Sequence, residues 1–343
     1  MTEFAKGPIV CFGEILLRLS APDYEVLLQS PRLNANFGGA EANVAVSLSK
    51  LGEPARMVSI LPDNAIGRAA FEELRRYGVD VSGIRFAPGR MGLYFLTPGA
   101  VLRSTEVLYD RAHSAFAEAA SDAVDWNEAL RGAALLHLSG VTPALGLKGA
   151  QAALTAAKAS RAAGVPVSFD GNYRGKLWAT WNGDGPAILR ELLSYATIAF
   201  VDDRDIALVL AQKFETADGA ARRRAAAKAA FDAFPHLKRI ASTVRVQHGV
   251  DRHDLSGVLF TRDGGEFQSR TYELGGIVDR IGAGDAFAAG LLHSLRTGKS
   301  EKESLDLAAA AACLKHSIPG DFNLVGAADV EAFLSQSGLD VRR

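Results

Sequence analysis

The sequence predicts an α/β protein, a mostly parallel sheet covered by helices on both faces, with a small second β-sheet attached. Three observations carry this. Short apolar runs alternate with longer helical patterns along most of the chain, the rhythm of strands joined by helical crossovers. The apolar runs end on polar groups (GEILL, LSG, FDGN, FVDD, STVR), as strands do where a parallel sheet opens onto a ligand. Two segments, 18–37 and 90–113, break the rhythm and carry no helical period.

The elements follow in order. PIVCFGEILLRL reads as a first strand, Pro8 to Leu19. A Gly38–Gly39 turn leads into a helix from about Ala40 to Leu51, with Gly52 as its stop. ARMVSIL is a strand, and IGRAAFEELRRYGV a helix ending at Gly78. ALLHLSG is a strand and GAQAALTAAKASRAAGV a helix ending at Gly164. PVSFDGN, a helix around Ala187 to Tyr195, TIAFVDD, the helix AARRRAAAKAAFDAF and the strand RIASTV continue the alternation. Residues 90–113 read as a β-hairpin turning at Pro98–Gly99, and residues 254–274 as another turning at Asp263–Gly264–Gly265. The expected organisation is an α/β body from 1–17, 38–89 and 114–343, with 18–37 and 90–113 forming a β lid. A lone hairpin is marginal in water, so this lid should be covered by a ligand, a second subunit, or both.

The chain has 343 residues, 48% apolar and 22% charged, which is the make-up of a globular protein. Lys and Arg number 38 against 39 Asp and Glu, and no basic run stands out. That argues against nucleic acid or a membrane surface as partner. Cys11 and Cys313 lie in separate apolar runs and read as buried thiols. The N-terminus does not read as a signal peptide and no apolar run reaches the length of a membrane span. A cytoplasmic protein is the expectation.

The most informative stretch is DRIGAGDAFAAGLL, Asp279 to Leu292. A Gly-rich turn before a helix leaves several N–H groups pointing outward, which makes an anion site. Asp285 at its edge would suit a helix start and would also suit a proton acceptor beside the anion. The two roles use the same geometry.

Three features converge: the early FGGAEANVAVSLSKLG, a β insert carrying Tyr94, Tyr109 and Arg111, and the late GAGDAF turn. In this order and separation they resemble the ribokinase-like (PfkB-type) carbohydrate kinases over roughly residues 8–335. CFGEILLRL with Glu14, MGLYFLTPGA, LYDRAHSAFA, FDGNYRGKLW and KHSIPGDFN point to the 2-keto-3-deoxygluconate (KDG) kinase branch. The resemblance implies a ribokinase-like three-layer sandwich with a β lid, and phosphoryl transfer from ATP with Mg²⁺, a chemistry that rests on positioning and charge neutralisation. It implies Asp285 as general base and the N–H groups of Gly282, Ala283 and Gly284 as the hole for the migrating phosphoryl group. Gly38, Gly39, Asn43, Tyr94 and Tyr109 would line the sugar pocket. Arg111 and Arg174 would read a substrate carboxylate, for which the planar guanidinium fork is suited. Asp170 and Asn172 would stand behind them. Thr243 and Arg245 would lie by the ATP phosphates, and Ala283, Gly284, Cys313, His316 and Asn323 by the adenine. Where the family has an Asn-x-x-Glu motif organising Mg²⁺, this chain has Asp202 and Asp205, so the metal contacts are open. A homo-oligomer formed through the lid is expected.

Other readings carry less. Another PfkB-type substrate, such as fructose or a different keto-sugar acid, is the nearest; Arg111 and Arg174 favour an acid. A nicotinamide-dependent dehydrogenase needs GxGxxG after the first strand, which is missing, and GxxxxGK[ST] is missing too. An intact Asp285 with its Gly turn speaks against a sugar-binding regulator without catalysis.

Overall fold

The structure is a computed structural model, and it describes residues 4–335. The chain runs β1 (Ile9–Phe12), β2 (Leu16–Ser20), β3 (Asn34–Gly38), α1 (Ala40–Lys50), β4 (Ala55–Pro62), α2 (Ala65–Arg76), β5 (Asp80–Ala87), β6 (Gly92–Thr97) and β7 (Glu106–Asp110). It continues α3 (Trp126–Ala129), β8 (Leu135–Ser139), α4 (Leu147–Ala162), β9 (Val167–Asp170), α5 (Gly175–Ala179), α6 (Gly185–Tyr195), β10 (Ala196–Phe200), α7 (Asp203–Leu210) and α8 (Gly219–Ala233). Last come β11 (Arg239–Gln247), β12 (Arg252–Thr261), β13 (Glu266–Gln268), β14 (Tyr272–Gly275), α9 (Ala283–Arg296), α10 (Glu301–Lys315) and α11 (Ala327–Ser335).

A large sheet has the order β13-β12-β11-β10-β9-β8-β1-β4-β5, with β14 also paired to β12. From β5 to β11 every pairing is parallel; β12, β13 and β14 add an antiparallel edge. One apolar core lies on the side of α1, α9 and α10, another on the side of α4, α6 and α8. Strands covered on both faces read as near-continuous apolar runs, and LLHLS of β8 is buried throughout. The second, separate sheet has four strands in the order β3-β2-β6-β7.

The first strand expected from Pro8 to Leu19 is two strands in two sheets. The apolar run is continuous, but Gly13 breaks it. Its N–H donates to Val58 O at 3.3 Å and its carbonyl accepts the Ser59 hydroxyl at 2.7 Å, while a Cβ there would collide with the Glu41 carboxylate. Beyond it the chain turns out of the large sheet and pairs with β3 and β6. The hairpin expected over 254–274 starts at Arg252, and its return arm is split into β13 and β14. At the break, the Ser269 hydroxyl accepts the Gly257 N–H at 2.8 Å in place of a ladder bond.

Helix starts follow local chemistry. Asn64 caps α2 by accepting the N–H groups of Ile66 and Gly67, both at 3.0 Å. Ser300 and Glu303 form a reciprocal capping box on α10. Helices α9 and α10 pack backbone against backbone: a Cβ on Gly290 would lie 2.9 Å from Ala308 Cα. That contact fixes the height of α9, and with it the turn at its N-terminus. Among the described residues no helix is long and apolar enough to cross a membrane.

Candidate active site

Helix α9 begins beyond the carboxyl ends of the parallel strands. Gly282 stands at its N-cap with φ +82°, a conformation that costs glycine little. Among the described residues no side chain caps this terminus; the Ala283 N–H makes a long bond (3.3 Å) to Arg280 O, and the N–H groups of Gly282 and Gly284 stay available. A Cβ on Gly284 would meet open space. In the first turn, Asp285 is partly exposed, and its Oδ2 accepts the amide of Asn43 at 2.7 Å. Burial raises the Asp285 pKa from 3.8 to about 7; the Asn43 bond opposes the shift, and the carboxylates of Glu41 and Asp321 add to it. A carboxylate whose pKa is raised toward neutrality therefore sits next to a turn with N–H groups to spare.

On the side of the small sheet, the structure brings together Gly38, Gly39, Asn43, Tyr94, Tyr109 and Arg111, but the polar ends of several are already engaged. Asn43 serves Asp285. The Tyr94 hydroxyl donates to Asp321 at 2.6 Å, and Arg111 Nε donates to Glu14 at 2.7 Å with both partners buried. The rest of the Arg111 fork makes no hydrogen bond among the described residues, and the guanidinium lies 6.0 Å from the Tyr109 ring centre. Tyr109 packs against Tyr94 at 6.4 Å. Gly38 and Gly39 are there because side chains would not fit: a Cβ on Gly38 would strike the Asp321 carboxylate, and one on Gly39 the Glu14 carbonyl. Beyond them a cavity of about 580 Å³ separates the small sheet from residues 276–281 and 319–320.

Arg174 follows β9 and is exposed, and among the described residues its guanidinium makes one hydrogen bond, a long one (3.3 Å) to Tyr173 O. It makes no ion pair among the described residues, and its charge acts on Asp170, Asp205 and Asp285.

On the other side of the GAGD turn lies a polar cavity of about 290 Å³, lined by Asp170, Asp202, Asp205, Thr243, Arg245 and Gly284 among others. Arg204 lines it as well, and the Arg245 pKa is lowered by burial and by the like charges of Arg280 and Arg204. Arg204 is paired with Asp202, its Nε at 2.8 Å, which leaves Arg245 as the lining cation suited to an anion. Asp202 and Asp205 serve first as caps, forming the reciprocal box at the start of α7. Burial and Asp202 push Asp205 up to about 6, and burial followed by Asp285 and Asp205 pushes Asp170 well up. No cluster of three or more ligand side chains forms a ready metal cage among the described residues. The donors nevertheless fit a hard divalent cation arriving with phosphate oxygens, since a cation would relieve their mutual repulsion.

Two residues expected at the nucleotide do not line this cavity. Cys313 is packed in the apolar core with its thiol pushed up to about 12 by burial. Asn323 is buried against α1, its amide donating to Ser47 Oγ at 3.0 Å. The tail after α10 folds back over α1, which single-residue reasoning on KHSIPGDFN did not reveal. His316 is a helix-end histidine: its Nδ1 bonds Ala312 O at 2.7 Å, and its carbonyl accepts the N–H groups of Val278 and Asp279, holding the segment before the turn.

Sequence reasoning missed Arg18, Glu41, Asp279 and Asp321. Arg18 Nη1 bridges Asp279 at 2.7 Å and Asp321 at 3.2 Å, all three buried. One Glu41 oxygen accepts the Ser139 N–H and hydroxyl and the Thr142 hydroxyl. The available signal was a charge inside an apolar run: Arg in ILLRLSA, Glu in GGAEANVAV.

A helix-start turn beside a raised carboxylate, on a large parallel sheet with a small second sheet, here belongs to a carbohydrate kinase. Residues 6–323 match the pfkB family carbohydrate kinase model, and the chain belongs to that family. It is 34% identical to the 2-dehydro-3-deoxygalactonokinase of Haloferax volcanii, over 97% of this chain and 98% of that one. It is 27% identical to the 2-dehydro-3-deoxygluconokinase of Bacillus subtilis, over 93% and 92% of the two chains. A solved 2-dehydro-3-deoxygluconokinase from Thermotoga maritima is similar in structure, with TM-score 0.90, 37% identity, and 96% and 99% of the two chains covered. The family implies a sugar and ATP as substrates.

Proposed function

We propose that this kinase transfers the γ-phosphoryl group of ATP to the 6-hydroxyl of 2-keto-3-deoxygluconate, with Asp285 as general base. The observation that carries it is the Asp285 carboxylate, poised near pKa 7 in the first turn of α9 beside the open Gly284. A base working near its own pKa accepts the hydroxyl proton as the oxygen attacks. Asn43 aims the carboxylate, leaving Oδ1 for the substrate. The N–H groups of Gly282, Ala283 and Gly284 receive the charge on the phosphoryl oxygens. Thr243 and Arg245 would hold the ATP phosphates. Asp170, Asp202 and Asp205 would meet Mg²⁺ in part through water, and the ion would neutralise phosphate charge. The small sheet, residues 18–37 and 90–113, acts as the lid over the sugar, with Tyr94, Tyr109 and Arg111 on its inner side and Gly38 and Gly39 below. The same reading makes the protein cytoplasmic, where ATP is available.

A keto-sugar acid is favoured over a neutral sugar by two cations with donor capacity left, Arg174 without an ion pair and Arg111 with part of its fork free. The names of the similar proteins point the same way. The field of Arg174 on Asp285 favours a second role for that residue, neutralising the migrating phosphoryl group. Initial rates of ADP formation with the gluconate- and galactonate-derived keto acids and with fructose test the substrate class. The keto acids should exceed fructose by tenfold or more in kcat/KM; equal or better turnover of fructose would overturn the acid reading.

A further inference from the structure

Lys315, the last residue of α10, is fully buried. Its Nζ donates to Ile318 O at 2.9 Å and makes no other hydrogen bond or ion pair among the described residues. An ammonium carries three donors, and taking it out of water is costly unless nearby negative charge compensates. Burial lowers the Lys315 pKa, while Asp279, Asp321 and Asp285 act in the opposite direction and Arg18 adds to the lowering. None of these carboxylates touches the ammonium, so it works as a charge through space.

Its position gives that charge a use. The Lys315 Cε lies 3.4 Å from where a Cβ on Gly282 would be, directly behind the turn that opens α9. The same turn is stitched to the chain after α10. Asp279 accepts the N–H of Ile281 at 3.0 Å and of Gly320 at 3.1 Å, and the Asp321 carbonyl packs against Gly282. We propose that Lys315 is a positioning residue for phosphoryl transfer: a built-in cation beneath the Gly282–Gly284 turn, which orients its N–H groups and favours the negative charge that gathers above them. This rests on the proposed role of that turn. Charge that grows in the transition state is stabilised most by fixed groups in a site poor in water. Lys315 should therefore act on kcat and leave ground-state binding nearly alone.

The test is Lys315→Met, which keeps the length and removes the charge, assayed with ATP and 2-keto-3-deoxygluconate. Expected are a fall in kcat of about 10- to 100-fold, KM values for both substrates within about threefold, and unchanged or higher thermal stability, because a buried charge has gone. The acid limb of the kcat/KM profile should move to higher pH, since Asp285 loses a cation that favours its ionised form; Arg18, Arg174, Asp321 and Glu41 remain in place around it. In Lys315→Ala, added ethylammonium should restore turnover saturably. Parental kcat in folded Lys315→Met would overturn the proposal. So would a large loss of stability, or loss of turnover that no amine restores, each of which would make Lys315 part of the fold alone. If the parent protein itself phosphorylates no sugar, the proposed function fails first, which is a different result from an active parent and an equally active variant.

Discussion

Asn43 bonds the partly exposed Asp285 carboxylate while Glu41 and Asp321 act on it through space, and these surroundings set both its chemistry and its cost. Its folded pKa of about 7 stands above the ordinary carboxylate value of 3.8. In the window between those values the unfolded chain has ionised and the folded one has not, so stability falls as pH rises from about 4 to 7. Asp285→Asn should remove that loss and gain about 1–3 kcal/mol at pH 8, little at pH 4; unfolding curves at the two pH values check it. The parent's kcat/KM should fall below about pH 7, tenfold per pH unit at the limit. Arg174→Ala separates its two roles. A carboxylate reader should lose about one to two decades in kcat/KM on the keto acid, mostly through KM, with fructose little affected. Equal losses on both, carried by kcat, would assign it to the phosphoryl group. Asp285 and Arg174 were legible because each follows a glycine-containing stretch at an element boundary. Glu41 and Asp321 were not, since their role depends on which distant segments pack against them.

Helix α9 brings the site to the strand ends, and its place depends on α10. With Gly290 against Ala308, any side chain must push the two helices apart. Gly290→Val should cost about 1–3 kcal/mol of stability and reduce turnover more than Tm alone accounts for, because the turn and Asp285 ride on α9; thermal unfolding and kcat measured together show whether both move. The start of α9 was readable from GAGDAF, whereas α7, α10 and β5 were not read. In α10 the run AAAAACL is buried on nearly all sides, so it shows no amphipathic period, and its Ser300 capping box was the one local sign. The break between β1 and β2 was hidden because both strands are apolar; the change of sheet falls at Gly13 and at the buried Glu14 that follows it, bonded to Arg111 and Ser114.

Across the whole molecule, the small sheet presents two unlike faces. Arg18, Tyr94 and Leu96 point inward and are buried, while Leu19, Phe95 and Leu108 on the other face are partly or fully exposed. An exposed apolar sheet face calls for a partner, and we propose a second copy of this chain. Sedimentation velocity should show a dimer, weakened by Leu108→Glu; a monomeric parent would remove the idea. The alternation of strand and helix made the architecture readable from sequence, and the breaks in that alternation marked the second sheet. How its strands pair was not readable, because β2 joins β6 across a long stretch of intervening chain. If Asp285 takes the proton of the attacking hydroxyl, the turnover of 2-keto-3-deoxygluconate by Asp285→Asn will show it. The variant should bind the sugar acid and ATP about as the parent does and form ADP and the 6-phosphate about 10²–10⁴ times more slowly; turnover within a few-fold of the parent would contradict that role for Asp285.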